Sequence, residues 1–220
     1  MLKRRGLRSW VWMLALTLLA AWTPAWGDML VHLKDGRTVT VPVNKDDIVG
    51  LTFEDRPQVD TGGIAWNFES GDLTGWTAAG EAFAFQPTYG DNPTARNRGQ
   101  PSRHEGNYWI GGYEKRPHPF DPPGQVQGDE PRGMLTSKPF RIASPRISFL
   151  LGGGCDINTV YIELIVDGAS VLKATGKCTE TMERVTWDVS PYMGRTAQVR
   201  LVDASSGGWG HINFDNAQFH

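Results

Sequence analysis

The sequence predicts an all-β protein: a two-layer antiparallel β-sandwich of the jelly-roll kind, preceded by a small β-hairpin segment. Three observations carry that expectation. The second half consists of short runs in which every other residue is apolar, the period-two pattern of strands with one buried face. Turn residues recur between these runs at intervals of about ten, the spacing of sandwiches and barrels. Finally, 26 glycines and 14 prolines among 220 residues leave no credible long helix.

The chain opens with Lys3, Arg4, Arg5 and Arg8 ahead of an apolar run from Trp10 to Trp22, followed by Ala25-Trp-Gly27 with small residues at the positions a signal peptidase reads. Residues 1–27 therefore read as a signal peptide cleaved before Asp28. The run falls short of the roughly 20 residues needed to span a bilayer, so no stable span is expected after cleavage; a retained anchor is the competing reading. No cysteine lies near the cut, which argues against a lipid anchor.

Residues 28–54 read as a β-ribbon. In Met29 to Pro42 two alternating runs flank Asp35-Gly36, a strong hairpin signal because both turn positions accept positive φ. Ile48 to Phe53 would add a third strand. A ribbon this small is marginal alone, so it is expected to pack on its neighbour or to dock on a partner. Residues 55–63, polar and rich in proline and glycine, read as a linker.

Residues 64–220 make the main domain, long enough to bury a full sandwich core. Its first strand is expected near Trp66. Later strands are read from alternation at Ile147, Phe149 and Leu151; at Val160, Ile162, Leu164 and Val166; at Val185, Trp187 and Val189; at Val199 and Leu201; and at Ile212 and Phe214. Asp167-Gly168 marks a second hairpin turn. The stretch from Arg96 to Gly128, rich in proline, glycine and charge, reads as a long surface loop. Trp76 and Trp187 are expected in the core.

Charge and motifs exclude several classes of function. Without residues 1–27 the chain keeps 18 basic against 24 acidic residues, near −6, and the basic groups are scattered. That is not the footprint of a nucleic-acid binder. No nucleophile elbow, zinc-binding helix or phosphate-cradling loop is present. The histidines at 32, 104, 118, 211 and 220 show no metal-ligand spacing. The two cysteines, Cys155 and Cys178, are expected to pair, since an even count in an exported chain favours a disulfide. Two buried thiols or a metal site are the alternatives.

Two matched ends bracket the domain: Trp66-Asn-Phe-Glu-Ser-Gly-Asp-Leu-Thr-Gly-Trp76, and Gly207-Gly-Trp-Gly-His-Ile-Asn-Phe-Asp215 within the last strand region. Between them run Gly133-Met-Leu-Thr-Ser-Lys-Pro-Phe140, Ile147 to Gly154, Val166-Asp-Gly168, Ala174-Thr-Gly176 and Trp187-Asp-Val189. In order and spacing, from about Ile64 to Phe219, this resembles the β-sandwich module found beside the catalytic domains of levanases and other fructan hydrolases and in unrelated exported bacterial proteins. The resemblance implies a galactose-binding-like fold. No fructan-hydrolase catalytic domain is recognisable, and a neighbour's activity does not transfer to a companion module.

Sandwiches of the galactose-binding type often place a structural calcium ion where the first strand meets the last. The carboxylates of Glu69, Asp72 and Asp215 are the candidates, because a hard cation needs several oxygens. The plainer alternative has Asp72 capping its own turn and Asp215 pairing with an arginine. For a ligand, aromatic rings can stack on the C–H faces of sugars. Trp209 among glycines, with His211 and Asn213 beside it, forms one candidate set, and Trp109 with Tyr113 forms another. Each tryptophan equally reads as core: Trp209 as a plug, Trp109 as one face of a strand.

The sequence thus reads as a secreted, periplasmic or cell-envelope module that binds carbohydrate without catalysis. The main alternative is a protein-interaction or scaffold module that docks through the N-terminal ribbon; a small glycoside hydrolase-type enzyme is the third. An exposed aromatic platform, an open ribbon edge and a deep cleft with two carboxylates would favour these readings respectively.

Overall fold

A computed structural model describes residues 26–32, 37–44 and 63–220. The chain divides into two compact units, residues 1–55 and 56–220. In the first, strands β1 (Trp26–His32) and β2 (Thr38–Asn44) pair antiparallel, with Met29 opposite Val41 and Leu30 opposite Thr40. The strand begins two residues ahead of the expected cleavage point. The expected signal segment up to residue 25, the Asp35-Gly36 turn, the third strand at 48–53 and all but the last residue of the 55–63 linker lie outside the described residues.

The second unit is a two-layer antiparallel β-sandwich. One sheet runs in the order β3 (Trp76–Gly80), β6 (Gly133–Ser137), β12 (Thr196–Asp203), β9 (Val160–Val166), β10 (Ala169–Ala174), with β7 (Phe140–Arg141) also pairing onto β12. The other runs β4 (Thr88–Tyr89), β5 (Tyr108–Gly111), β13 (Ile212–Phe219), β8 (Arg146–Gly153), β11 (Thr179–Asp188). From β7 onward the chain passes repeatedly between the sheets, as a jelly roll does. The Asp167-Gly168 hairpin forms as its sequence demands: both residues take positive φ, 48° and 85°, and Ala169 pairs with Val166. The described residues of this unit contain one α-helical turn, α1 (Asn92–Ala95), started by Pro93 and capped by Asp91.

The core lies between the sheets, where alternation places Ile147, Phe149, Leu151, Trp187, Ile212 and Phe214 of one against Leu135, Ile162, Leu164, Val199 and Leu201 of the other. Phe149 meets Trp187 edge-on at 4.7 Å between centroids, and Trp66 meets Trp76, Phe140 and Phe219 at 5.2–5.3 Å. Such aromatic pairs add about 0.5–1.5 kcal/mol each beyond simple burial.

The expected first strand at Trp66 does not form. Residues 64–75 are irregular: Phe68 takes φ 54°, Gly71 N donates back to Phe68 O at 2.8 Å, and the chain turns before a ladder can be built. Ile64, Trp66 and Phe68 nevertheless fill the core, and burial alone produces their alternating pattern.

Part of the outer face of the second sheet is covered as well, although Arg184, Thr186 and Asp188 of β11 remain exposed. Trp109, Leu150 and Met182 form a small apolar cluster there, beneath the covering segment between β3 and β6. β8 is accordingly buried at every position after Arg146. Cys155 and Cys178 form the expected disulfide, their Cα atoms 5.0 Å apart, joining the loops after β8 and before β11.

Candidate functional site

The site is assembled on this covered outer face. In β13 the core takes Ile212 and Phe214, so Asn213 and Asp215 point the other way. The ladder between β11 and β8 is interrupted between Thr179 and Glu183, and the freed amides pair instead with the covering segment, Met182 N with Ser102 O and Glu180 N with Gln100 Oε1. Such an irregularity re-aims side chains. Here it directs Glu180 inward toward His211.

His211 is buried and held between two carboxylates, Nδ1 2.6 Å from Asp129 Oδ1 and Nε2 3.3 Å from Glu180 Oε2, the latter contact too poorly aligned for a hydrogen bond. Burial disfavours a charged imidazole, yet the hydrogen bond to Asp129 and the charges of Glu180 and Asp129 outweigh it and raise the pKa to about 9. For Glu180, burial pushes upward, but His211, then Arg96 and Asn213, hold it at about 2. The pair is ionic at neutral pH. Arg96 extends the network, donating to Glu180 Oε1 at 2.6 Å and to Glu114 Oε1 at 3.0 Å, and Asn92 donates to Glu114 Oε2 at 2.6 Å. Burial leads the shift at Glu114 and leaves its pKa raised despite these partners. Asp203, behind His211, is raised to about 7, again by burial first.

Above this network lies a pocket of about 230 Å³ lined by Arg96, Arg98, Tyr113, Asp129, Glu180, Gly208, Trp209 and His211. The rings of Trp209 and Tyr113 stand 5.5 and 5.2 Å from the imidazole of His211. Arg98 lies over Trp209 at 5.2 Å and Arg96 over Tyr113 at 4.7 Å. The glycines around Trp209 do not supply the unusual backbone angle; Trp209 itself does, at φ 64°. A bulky residue held there is costly. The loop is fixed by Gly210 N on Gly207 O at 2.8 Å and by Trp209 N on Asp129 Oδ2 at 3.3 Å. Gly210 has to be glycine, since a Cβ there would lie 2.7 Å from Gly207 O.

Of the expected ligand residues, Trp209, His211 and Tyr113 meet in one pocket. Asn213 is fully buried behind it, donating from Nδ2 to Glu180 O and Oε2 at 3.2 Å, so it orients Glu180 rather than facing a ligand. Trp109 is a correction: it is fully buried, its indole N–H donates to Gly90 O at 2.9 Å, and its ring stacks on His104. It presents no face to a ligand. Sequence reasoning missed Arg96, Arg98, Asp129 and Glu180, which come from three separated segments with no shared spacing.

The expected calcium triad is not assembled as such. Asp72 is exposed and accepts from Thr74 N at 2.9 Å and Ser70 Oγ at 2.8 Å, and the hydrogen bonds of Thr74, then Ser70, lower its pKa within its own turn. Glu69 Oε1 takes the amides of Asn107 and Tyr108 at 2.6 and 2.9 Å. Asp215 is buried, accepts from Glu105 N at 2.8 Å through Oδ2, and leaves Oδ1 without a partner. Burial first, then the charges of Glu105 and Glu69, raises its pKa to about 8. Among the described residues no three carboxylate, imidazole or thiol groups cluster as a metal site.

No protein-family model matches the chain. A stretch of 94 residues, 43% of the chain, is 44% identical to an Aspergillus rugulosus protein named as a glycosyl hydrolase, ecdE. A Chaetomium globosum protein named as a dipeptidyl-aminopeptidase B is 26% identical over 215 residues, 88% of the chain. These matches span 13% and 22% of the two relatives' own lengths. Among solved structures, the module TmCBM61 in complex with β-1,4-galactotriose aligns with 70% of this chain and 95% of its own at 16% identity, TM-score 0.43. A family 35 carbohydrate-binding module from Paenibacillus barcinonensis aligns over 66% and 92% at 16% identity, TM-score 0.30.

Proposed function

We propose that this protein is an exported, non-catalytic carbohydrate-binding module whose ligand enters the pocket beside Trp209, Tyr113 and His211. The observation that carries the reading is the pairing of two partly exposed aromatic rings with charged hydrogen-bonding groups around one concave site, the combination that binds a sugar's C–H face and its polar edge. A pocket of about 230 Å³ is smaller than the ~300–1,000 Å³ of drug-sized sites and suits a single sugar residue. The resemblance to modules beside fructan hydrolases agrees with this role. Export is supported by the basic and apolar leader and by the disulfide. Among the described residues no helix is long and apolar enough to cross a membrane.

Calcium belongs to the same proposal as a structural ion at Asp215, supported by the unpartnered buried Oδ1 and the neighbouring charges of Glu69 and Glu105. A docking role for the ribbon is the second reading, favoured by Leu30 and Val39, which are 55% and 46% exposed.

A glycan-array screen followed by Trp209→Ala tests the main reading. Trp209 is only partly buried, so the variant is expected to lose glycan binding and keep most of its stability. If the ring is a plug instead, the change costs about 3–5 kcal/mol, as core aromatic truncations do; that result would remove Trp209 from the binding site.

A further inference from the structure

We infer that the pocket takes an acidic saccharide, one bearing a carboxylate or a sulfate ester, with the acid group on the guanidinium of Arg98 and the sugar ring beside Trp209. The inference deepens the carbohydrate-binding reading and rests on it. It follows from the donors and acceptors that remain once the pocket's internal contacts are made.

Each carboxylate oxygen of the pocket already holds one donor. Asp129 places Oδ1 2.6 Å from His211 Nδ1 and receives Trp209 N on Oδ2 at 3.3 Å. Glu180 receives Arg96 on Oε1 at 2.6 Å and Asn213 on Oε2 at 3.2 Å. Each of the four carboxylate oxygens has a donor. The donors are in the opposite condition: among the described residues, no acceptor hydrogen-bonds the Arg98 guanidinium, the Tyr113 hydroxyl or the Trp209 indole N–H. The nearest carboxylate oxygen to Arg98 is Glu180 Oε1, 3.8 Å from Nε and already taken by Arg96.

A neutral sugar brings hydroxyls that must donate as well as accept, and at Asp129 and Glu180 they would have to share oxygens that already hold a donor. An acid group brings acceptors alone. The planar guanidinium fork matches a carboxylate or a sulfate in two parallel hydrogen bonds, and Arg98, 41% exposed at the pocket's mouth, can meet such a group without deep desolvation. Charge agrees. Arg96 is shared between Glu114 and Glu180, and His211 lies between Asp129 and Glu180, so among the described residues of the lining Arg98 is the cation to which no carboxylate is hydrogen-bonded.

The test uses the full chain and three oligosaccharides matched in length, ring stereochemistry and linkage: neutral galactose units, galacturonate units, and galactose units carrying sulfate esters. Binding is measured by calorimetry at low and high salt. One acidic ligand is expected to bind at least about tenfold more tightly than the neutral one, and salt should weaken that preference. Which acidic ligand wins identifies the acid group. Arg98→Gln, checked by its melting temperature, should bring the acidic ligand down to the neutral one's affinity, and Arg98→Lys should recover only part of the preference. Equal or tighter binding of the neutral ligand, with Trp209→Ala abolishing it, overturns the acidic inference and leaves the carbohydrate reading standing. Retention of the full acidic preference by Arg98→Gln overturns the assignment to Arg98. No binding of any of the three, with no glycan bound on an array, removes both readings together.

Discussion

Replacing Glu180 by glutamine removes one charge from the centre of the buried network while keeping the side chain's shape. The carboxyl sits at about 2 against an ordinary 4.5. At ~1.4 kcal/mol for each factor of ten in acidity, its ionised form contributes about 3 kcal/mol to folding. An independent figure comes from breaking buried ion pairs by removing one partner, which costs about 3–5 kcal/mol. Glutamine can still accept from Asn213, so the low end is expected. The pH dependence has a defined sign on each side. Glu180 releases its proton more readily folded than unfolded, so its contribution is complete above about pH 4.5 and is lost as pH falls toward about 2. His211 holds its proton to about 9 against an ordinary 6.5, so its contribution is complete below about 6.5 and is lost as pH rises through about 9. These two shifts describe largely one interaction and do not add. Urea unfolding followed by tryptophan fluorescence, at about pH 5.5 and about pH 9.5, should find Glu180→Gln less stable by about 3 kcal/mol at the lower pH and a shallower alkaline loss than in the parent. A loss under about 1 kcal/mol at pH 5.5, or an unchanged alkaline slope, would refute the ionic assignment of the pair.

Thiol labelling of denatured, unreduced protein should detect no free cysteine, and reduction should lower stability by roughly 3 kcal/mol for a Cys155–Cys178 loop of sequence separation 23; two reactive thiols per chain would contradict the pairing. If calcium binds the folded chain at Asp215, excess calcium should raise the melting temperature by mass action, and Asp215→Ala should abolish that rise. Identical melting curves in calcium and in chelator would end the calcium proposal.

The strands with clean alternation were legible because period-two burial is a local property: Ile147, Phe149 and Leu151, or Ile212 and Phe214, face the core wherever the sheet forms. The Asp167-Gly168 turn was legible for the same reason, since its positive φ values are a demand on two adjacent residues. Trp66 and Phe68 misled because the pattern reports burial and not hydrogen bonding; a turn at Phe68 satisfies their burial without a ladder. Trp109 misled because its neighbours looked like a surface loop, whereas that loop folds over part of the outer face of the second sheet and buries Trp109 with Leu150 and Met182.

What the sequence determined by itself was the all-β class, the hairpins, the inward residues and the cysteine pairing, each set by local periodicity, by turn stereochemistry or by residue count. The site was decided only in three dimensions. Arg98, Asp129, Glu180 and His211 lie on separate segments, and nothing in their spacing joins them. An interrupted ladder turns Glu180 inward, a left-handed tryptophan sets the loop beside His211, and the covering segment brings two arginines over the aromatic rings. Charges that would be solvated and independent along an extended chain become a single coupled network because burial removes the water that would otherwise screen them.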